Sequence, residues 1–369
     1  MPEVATDLAQ YVTALVGDAA GEWDRRGRLP LELLRELGSS GVLCAEVAPE
    51  HGGAGLDGAA GGELTAHVGS HCSSLRSVMT SQGMAAWTIQ RYGSTRQQCE
   101  YLPRLTGGEL AGVAFTEAGA GSDLAAMSTR IEPDGDHVVV TGHKRWVTVG
   151  AYADLLVVVG RHGAGAAAVL VPTSAEGVRV EPIADPIGCR AAGHADVRLD
   201  AVRLPAEHVL RGAGQPLGWL VTTALTYGRL SVAWGCVGIL RACLAAAAQH
   251  ARTRRQFGSP LGDHQLVARH VAELHVSEQA ATRVCEHASR RWDERSPDMV
   301  IAAVLAKHFS AVQAAAGAGA AMQVLASAGA RDGHVVARAY RDAKPMEIIE
   351  GSSEICQLLL AEHAIAMAA

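Results

Sequence analysis

Two changes in composition and hydrophobic periodicity, near residues 112 and 214, divide the chain into three segments. In the first, the stretch LPLELLRELGSSG sets Leu33, Leu34 and Leu37 at helical spacing ahead of Gly38, a residue type that readily takes the left-handed conformation beyond a helix end. In the second, short β-rich runs such as HVVVTG and AAAVLVP are separated by Gly, Pro and Asp, which predicts a small antiparallel barrel or sandwich. In the third, long Ala-rich stretches with few breakers predict bundle helices. We therefore predict a mainly α protein with a central β domain, divided into an all-α domain at 1–112, a β domain at 113–213 and a helical bundle at 214–369.

Composition narrows the classes of protein to consider. The chain has 369 residues, 49% of them hydrophobic, which is enough to bury a core shared among two or three domains. A formal net charge of -6 argues against a nucleic-acid-binding protein, which needs basic surface to neutralise phosphates. The eight cysteines are scattered without a C-x-x-C pair, and no histidine cluster has metal-ligand spacing. We expect reduced cysteines and no metal.

The N-terminal stretch and the hydropathy pattern bear on location. MPEVATDLAQ carries acids where a signal peptide needs a basic region. In addition, no apolar run approaches the roughly 18 residues of a membrane span. We expect a soluble, cytoplasmic protein without a membrane partner.

Two motifs in the β segment are suited to a polar ligand. The stretch AFTEAGAGSD at 114–123 offers backbone N–H groups and hydroxyls to a phosphate or to a polar ring edge, although a Gly-rich loop between domains is an equally good interpretation. In KRWVTV, Trp146 and Thr148 are two residues apart, so on an extended strand they face the same side. A planar heterocycle could stack near the indole while Thr148 bonds its edge; the alternative is an ordinary core tryptophan.

Two further motifs lie in the helical bundle. RTRRQFGSPLGDHQ contains Arg254, Phe257 and Gln265, and such a stretch is ordinarily a solvated helix end. In EIIEGSSEI, Ser352 or Ser353 can cap a helix whose first turn holds Glu354. Capping does not explain Glu350, which follows two isoleucines and precedes a glycine.

In this order and at these separations, the four motifs resemble the acyl-CoA dehydrogenase family. PEHGGAG at 49–55, YLPRLTGGE at 101–109 and ADVRLDAVRLP at 195–205 are similar to further segments of that family, so the resemblance covers nearly the whole chain. It implies an N-terminal helical domain, a middle β-barrel or sandwich and a C-terminal four-helix bundle. It also implies FAD bound between the β domain and the bundle.

The resemblance assigns roles to individual residues. One group would contact the cofactor and another the substrate, while Glu350 would be the catalytic base, and the subunits would form a homodimer or homotetramer. The implied cofactor contacts are Phe115, Thr116, Gly121, Ser122, Trp146, Thr148, Ser352 and Glu354, with Arg254, Phe257, Gln265 and Gln323 reaching the FAD of a neighbouring subunit. The implied substrate contacts are Ser122, Thr226, Arg229 and Gly351.

The role of Glu350 also follows from its neighbours in sequence. A carboxylate flanked by isoleucines in a dry cleft should have its pKa raised by desolvation, toward a value useful for removing the α-proton of a thioester. The alternative is a structural acid that pairs with Arg341 or Lys344. Some family members take their base from a Glu just before an Arg in the first bundle helix, and here that position is Gly228.

Two other residues are candidates for the base, and two other functions are possible on this fold. If the base lies elsewhere, His194 and His334 are the next candidates, although lone histidines are more often structural. Glu350 argues against a flavin monooxygenase on this fold, which would not need the base. The surviving FAD motifs argue against a non-enzymatic scaffold.

The chain departs from the family pattern at several positions. Four replacements fall around FAD, at Ala118, Val149, Ala326 and Ser327. Two more fall near the thioester, where Ile349 replaces an aromatic residue and Thr226 replaces an acid. The altered thioester contacts resemble acyl-CoA dehydrogenase-like proteins of alkoxymalonyl (methoxymalonyl) extender-unit pathways in polyketide biosynthesis. Such a protein would oxidise a glyceryl-type unit on an acyl carrier protein and pass electrons to an unidentified acceptor. An ordinary short-chain acyl-CoA dehydrogenase is the alternative.

A carrier protein is acidic, so its enzyme needs a basic landing site. The stretches RTRRQ and ASRRWDER are the candidates, and Arg255, Arg290 and Arg291 are their best residues because Arg254 is assigned to FAD. The alternative interpretation is a solvated helix face.

Overall fold

The computed structural model describes residues 2–368, and its N-terminal part is helical. Gly38 lies inside a helix rather than beyond its end. Its glycine is required by packing, since a Cβ there would stand 2.8 Å from the Cα of Gly108. The left-handed residue is instead Gly41, with φ 85°. The helices are α1 (Pro2–Val16), α2 (Ala20–Arg26), α3 (Leu31–Ser39), α4 (Gly58–His71), α5 (Ser73–Tyr92) and α6 (Thr95–Thr106).

A seven-stranded sheet follows, with the order β1-β4-β2-β3-β7-β6 and β5 paired to β4. The sheet is mixed rather than wholly antiparallel as predicted, because β1 pairs with β4 in parallel and a one-residue parallel contact joins β2 to β4. Its strands are β1 (Ala111–Ala114), β2 (Arg130–Asp134), β3 (His137–Val147), β4 (Leu155–His162), β5 (Gly165–Pro172), β6 (Val178–Pro182) and β7 (Ala195–Pro205).

The last part is a helical bundle in which α7, α8 and α9 pack on one another, α10 packs on α7 and α9, and α11 packs on α9. A short hairpin, β8 with β9, joins α7 to α8. The elements are α7 (Leu217–Thr253), β8 (Arg255–Gln256), β9 (Ser259–Pro260), α8 (Gln265–Asp293), α9 (Met299–Leu325), α10 (Val335–Met346) and α11 (Ser353–Met367).

Two helical segments are apolar enough to cross a membrane by length and composition alone, which differs from the expectation of no such run. They are α7 and the segment Met299–Ala328. The most apolar window of α7 is 72% buried inside the protein, as the core helix of a bundle is. For α7 the pattern follows from bundle packing, since a helix surrounded by other helices is apolar on every side; the window of Met299–Ala328 is 44% buried.

Helix α5 is the element that connects the three parts. It contacts β1 and β4 of the sheet, α4 and α6 of the N-terminal part, and α7 of the bundle. Nearly all of its side chains are buried, including several serines and threonines. The site described next lies where α5, α7, the end of β3 and the turn after α10 meet.

Candidate active site

Glu350 lies in a strained turn between α10 and α11. Its φ is 55° and that of Gly351 is 97°, so two successive residues are left-handed although only the second is glycine. The Ser352 hydroxyl caps α11 by accepting from the Ile355 N–H at 3.4 Å, as predicted for one of the two serines. Non-glycine residues adopt this conformation rarely, and they do so mainly at functional sites.

Two buried cations donate hydrogen bonds to the backbone of this turn. Arg229 Nε donates to the Glu350 carbonyl at 3.0 Å, and Lys307 Nζ donates to the Gly351 carbonyl at 2.6 Å. The side chain of Lys307 is inaccessible to solvent and Arg229 is 5% exposed. The two bonds occupy the carbonyls that the turn exposes, and therefore fix the direction of the Glu350 side chain.

The Glu350 carboxylate has the properties of a general base. Its Oε2 atom is buried and has no hydrogen-bond partner among the described residues. Burial raises the pKa of Glu350 to about 7, while the nearby charges of Arg229, Lys307 and Arg76 act in the opposite direction. A carboxylate with a pKa near the working pH exchanges protons efficiently.

The alternative base position lies against the same carboxylate. A Cβ built on Gly228 would stand 2.6 Å from Glu350 Oε2 and 2.9 Å from Met84 Sδ. Any side chain at 228 would therefore displace the base. The Glu350 carboxylate thus occupies the space that a side chain at position 228 would enter.

The proposed structural partners of Glu350 are engaged elsewhere. Arg341 Nη2 lies 2.5 Å from Asp24 Oδ2, and Lys344 Nζ lies 3.0 Å from Glu347 Oε2. A purely structural role as an ion-pair partner of either residue is therefore wrong.

The two candidate histidines have other neighbours. His334 caps α10, where its Nδ1 accepts from the Val336 N–H at 3.2 Å. His194 Nδ1 lies 3.3 Å from the Thr148 hydroxyl, and burial lowers the pKa of His194 to about 4. His194 is therefore neutral near pH 7, and it positions Thr148.

Trp146 and Thr148 meet at His194, but not by strand alternation as predicted. A bulge interrupts the β3–β7 pairing between Lys144 and Val147, and Trp146 has φ 56°. The Trp146 and His194 rings lie 5.8 Å apart at their centroids. The bulge, rather than an extended strand, brings the indole and the hydroxyl to the same neighbour.

A buried ion pair holds this region against the 114–123 loop. Lys144 Nζ donates to Glu117 Oε1 at 2.8 Å and to the Phe115 carbonyl at 3.0 Å. The Arg145 N–H donates to the Thr116 carbonyl at 2.8 Å. Phe115 and Thr116 thus lie beside the end of β3, as the sequence motifs require. The sequence analysis missed Lys144 and Glu117, although both lie inside the motifs.

The exposed groups beside this loop have the chemistry that a flavin requires. The indole of Trp146 is 52% exposed, and nothing lies within 4 Å of a Cβ built on Gly121. Ser122 is exposed beside Gly121. An open aromatic face next to the Thr148 hydroxyl suits a planar heterocycle, and the open Gly121–Ser122 backbone suits phosphate.

Some predicted site residues are not brought to Glu350 within one chain. Arg254 directly follows α7 and lies 25 residues beyond Arg229, which corresponds to about 37 Å along the helix axis. Phe257 is 96% exposed on the β8–β9 hairpin, and the remaining predicted contacts of this group, Gln265 and Gln323, are also exposed. Their contact with a neighbouring subunit stays a prediction.

Three predicted residues around the turn have local partners. Thr226 is buried, and its hydroxyl donates to the Thr222 carbonyl of its own helix at 2.7 Å. Arg229 is bonded to the turn, as described above, and Glu354 is exposed in the first turn of α11. Lys307 was not singled out from the sequence. The feature that could have identified it is that Lys307 is the only Lys, Arg, Asp or Glu residue in α9.

Known protein families match this chain over nearly its whole length. Residues 3–109 match the N-terminal domain of acyl-CoA dehydrogenase, residues 112–202 its middle domain and residues 218–365 its C-terminal domain.

Individual relatives are also similar over nearly their full length. Glutaryl-CoA dehydrogenase of Desulfococcus multivorans is 32% identical, over 96% of this chain and 94% of its own. The mouse mitochondrial short-chain specific acyl-CoA dehydrogenase is 30% identical, over 93% of this chain and 85% of its own.

A solved structure is more similar still. FkbI, which serves the biosynthesis of the methoxymalonyl extender unit of the polyketide immunosuppressant FK520, is 62% identical with a TM-score of 0.94, over 97% of this chain and 99% of its own. The chain belongs to the acyl-CoA dehydrogenase family, whose members are FAD-dependent oxidoreductases that act on acyl thioesters.

Proposed function

We propose that the chain oxidises a small hydroxyacyl group, carried as a thioester on an acyl carrier protein, toward a hydroxymalonyl-type polyketide extender unit. The observation that carries the dehydrogenase role is the buried, unpartnered Oε2 of Glu350, whose pKa is raised to about 7. The similarity to FkbI supports the extender-unit role. We also propose that the enzyme works in the cytoplasm as a homodimer or homotetramer.

The residues of the chain supply binding, orientation and proton transfer. Glu350 Oε2 takes the α-proton of the thioester, while Arg229 and Lys307 keep the turn in place. The FAD would be held by residues of the 114–123 loop and of the end of β3, namely Phe115, Thr116, Gly121, Ser122, Trp146 and Thr148. When bound, FAD accepts a hydride from the β-carbon.

The products follow from the loss of one proton and one hydride. Loss of the α-proton and the β-hydride leaves a carbon–carbon double bond, which in a glyceryl unit is an enediol whose tautomer is an aldehyde. The same two losses from the aldehyde hydrate give the enol of the acid, which tautomerises to hydroxymalonyl. Each round removes two electrons, which an electron acceptor of unidentified nature takes from the enzyme.

Exposed arginines near the bundle surface support docking of an acidic carrier protein. Arg255 and Arg290 are exposed, and Arg255 donates only to the Gly258 carbonyl, at 2.9 Å. Arg291 is a weaker candidate because Asp298 and Glu294 neutralise it at 3.0 and 3.1 Å. Arg255 lies on the hairpin before α8 and Arg290 near the end of this 29-residue helix, about 37 Å away along its axis, so we assign the landing site to Arg290 alone.

Flavin bleaching under anaerobic conditions tests the proposal. Glyceryl-carrier protein should bleach the flavin faster than butyryl-CoA. Its catalytic efficiency should fall steeply with salt, because screening weakens docking. A charge-reversed Arg290→Glu should slow only the carrier-bound substrate, while Arg130→Glu, on the exposed strand β2, serves as the control.

An ordinary short-chain acyl-CoA dehydrogenase is the second candidate. The Glu350 geometry favours it equally, since the base acts on any acyl group with an α-proton and a β-hydride. Faster bleaching by butyryl-CoA than by any carrier-bound hydroxyacyl unit would establish this alternative and contradict the carrier proposal.

A further inference from the structure

Asp342, a buried residue of α10, accepts a hydrogen bond from the loop between β6 and β7. The Cys189 N–H donates to Asp342 Oδ1 at 2.6 Å, and Asp342 is 4% exposed. Burial raises the pKa of Asp342 to about 6, while the bond from Cys189 acts in the opposite direction. The carboxylate is therefore mostly ionised at pH 8, and hydrogen bonds to ionised groups are roughly twice as strong as those between neutral groups. This bond joins the helical bundle to the sheet.

The 188–194 segment of this loop lies directly on α10. A Cβ built on Gly188 would stand 2.5 Å from the Arg341 carbonyl oxygen and 3.0 Å from the Asp342 Cα, so the two backbones touch. Cys189 has φ 48°, in the left-handed region that residues other than glycine rarely adopt. Such a conformation persists only where the surrounding structure imposes it. The close approach and the buried carboxylate of Asp342 therefore fix the segment against the helix.

The far end of the 188–194 segment holds the chain around Thr148. The Val149 N–H donates to the Ala192 carbonyl at 3.1 Å. His194 Nδ1 lies 3.3 Å from the Thr148 hydroxyl. Val149 is itself left-handed, with φ 67°, so the chain at this point depends on the contacts that the segment provides. A shift of the segment would therefore shift the Thr148 hydroxyl.

The other side of the link leads to Glu350. Helix α10 ends at Met346. The Ile348 and Ile349 N–H groups both donate to the Pro345 carbonyl, at 2.9 and 3.0 Å. The turn that carries Glu350 therefore continues the last turn of the helix. The position of α10 consequently sets the position of the Glu350 carboxylate.

The reaction needs these two sides at a constant separation. A proton leaves one carbon of the acyl group for Glu350, and a hydride leaves the neighbouring carbon for the cofactor beside Thr148. Because the two carbons are joined, a misplacement of either side by about 1 Å can slow such a reaction about 100-fold. Glu350 belongs to the bundle and Thr148 to the chain that follows β3, so a direct link between these parts bears on the rate.

We propose that Asp342 is a positioning residue that, through the 188–194 segment, sets the distance between the base and the cofactor. It acts through Cys189 on the segment that holds Thr148, rather than on the reacting atoms. The inference rests on the proposed roles of Glu350 and Thr148. Without the bond, α10 and the sheet can separate, and the cleft between Glu350 and Thr148 loses its fixed width.

Asp342→Ala in the FAD-loaded enzyme tests the proposal without turnover. Hydrogen exchange of peptides that cover residues 188–194 should become about 10-fold faster or more, because the Cys189 N–H loses its acceptor. The visible absorption spectrum of the oxidised flavin should differ from that of the wild type, because the Thr148 hydroxyl moves. Neither readout involves proton abstraction, so the outcome does not depend on whether Glu350 is the base.

The kinetics of the same variant separate positioning from a change of charge at the base. The limiting rate of flavin reduction by substrate should fall about 10- to 100-fold at pH 8. The midpoint of the pH–rate profile should stay near pH 7, because the charges that act on Glu350 are those of Arg229, Lys307 and Arg76. Asp342→Asn keeps an acceptor oxygen for the Cys189 N–H, and it should restore most of the rate and the wild-type spectrum.

Asp293→Ala is the matched control for a general loss of stability. The Asp293 Oδ1 accepts from the Gly58 N–H at 2.8 Å, so this variant also removes a carboxylate that joins two elements. It should leave the flavin spectrum and the exchange of residues 188–194 as in the wild type. The same spectral change in Asp293→Ala would overturn the proposal, as would a wild-type spectrum with wild-type exchange in Asp342→Ala.

Gly188→Ala decides the matter if Asp342→Ala does not fold. Its added methyl group would push the 188–194 segment away from α10 while the carboxylate of Asp342 stays in place. The flavin spectrum should change in the same direction, and the limiting rate should again fall about 10-fold or more. A wild-type flavin spectrum and rate in the folded Gly188→Ala protein would contradict the link.

Discussion

Glu350 Oε2 lies 2.6 Å from the point where a side chain on Gly228 would begin. Glu350, the proposed base, comes from the turn after α10, yet its carboxylate reaches the face of α7 at Gly228. The glycine is what makes room for it. The position of the carboxylate therefore depends on Gly228, a residue that has no side chain.

Glu350→Gln should abolish proton abstraction but keep the cofactor. Reduction of the flavin by substrate should fall by about two to four orders of magnitude, because an amide cannot accept the α-proton. Rapid-mixing absorbance measures the rate, and the flavin-to-protein ratio checks retention of FAD. Near-normal reduction would mean that the base lies elsewhere.

The raised pKa of Glu350 predicts opposite effects of pH on the rate of flavin reduction and on stability. Since the pKa of Glu350 is about 7 in the folded protein, flavin reduction should rise with pH and reach half its maximum near pH 7. The folded pKa is raised above the unfolded value of 4.5, so stability is lost as pH rises from 4.5 through about 7. Glu350→Gln should therefore raise the free energy of unfolding by roughly 1–3 kcal/mol at pH 8 and have little effect at pH 4.

Gly228→Ala should displace the base. The added methyl group overlaps the carboxylate, and a shift of this size should slow flavin reduction by about 10- to 100-fold without loss of FAD. Gly218→Ala on the same helix is the matched control, because nothing lies within 4 Å of a Cβ at that position.

The double variant Gly228→Glu, Glu350→Gly tests the convergence directly. It moves the carboxylate to α7 and leaves glycine at a left-handed position. Flavin reduction should exceed that of Glu350→Gly alone by about 10-fold or more. No recovery would show that the two positions do not serve the same reacting carbon.

Lys307→Met should displace the turn that carries Glu350 and raise the pKa of Glu350. The Gly351 carbonyl loses its donor, which should lower the free energy of unfolding by about 1–3 kcal/mol and slow flavin reduction by roughly 10-fold. The Lys307 charge lowers the pKa of Glu350, so its removal should move the midpoint of the pH–rate profile to higher pH. Lys344→Met, at an exposed position of α10, should move neither, and an unshifted midpoint in Lys307→Met would limit this lysine to a packing role.

Arg254→Ala should weaken FAD retention by about 10-fold or more, if its guanidinium contacts the cofactor phosphate of a neighbouring subunit. Arg252→Ala, two residues earlier and also exposed, is the control. Equilibrium dialysis and light scattering measure cofactor binding and oligomeric state together. A monomer that binds FAD with full affinity would contradict this assignment.

The sequence by itself determined the order of helical, β and helical segments and the family, and it singled out Glu350 as the candidate base. These properties follow from local periodicity and from contiguous motifs, which need no knowledge of long-range contacts. It also predicted the raised pKa of Glu350, because the flanking isoleucines and the motif position both indicated a dry site.

Only the tertiary structure decided what surrounds that base. Gly228, Lys307 and Arg76 lie on three different helices, and nothing in their local sequence indicates that their side chains or backbone converge on one turn. The strand end near Trp146 was mispredicted for the same reason, since a bulge depends on the pairing of β3 with β7 and not on the alternation within β3. Burial, and with it charge and proton affinity, is set by residues distant in sequence, so it becomes visible only once the helices are packed.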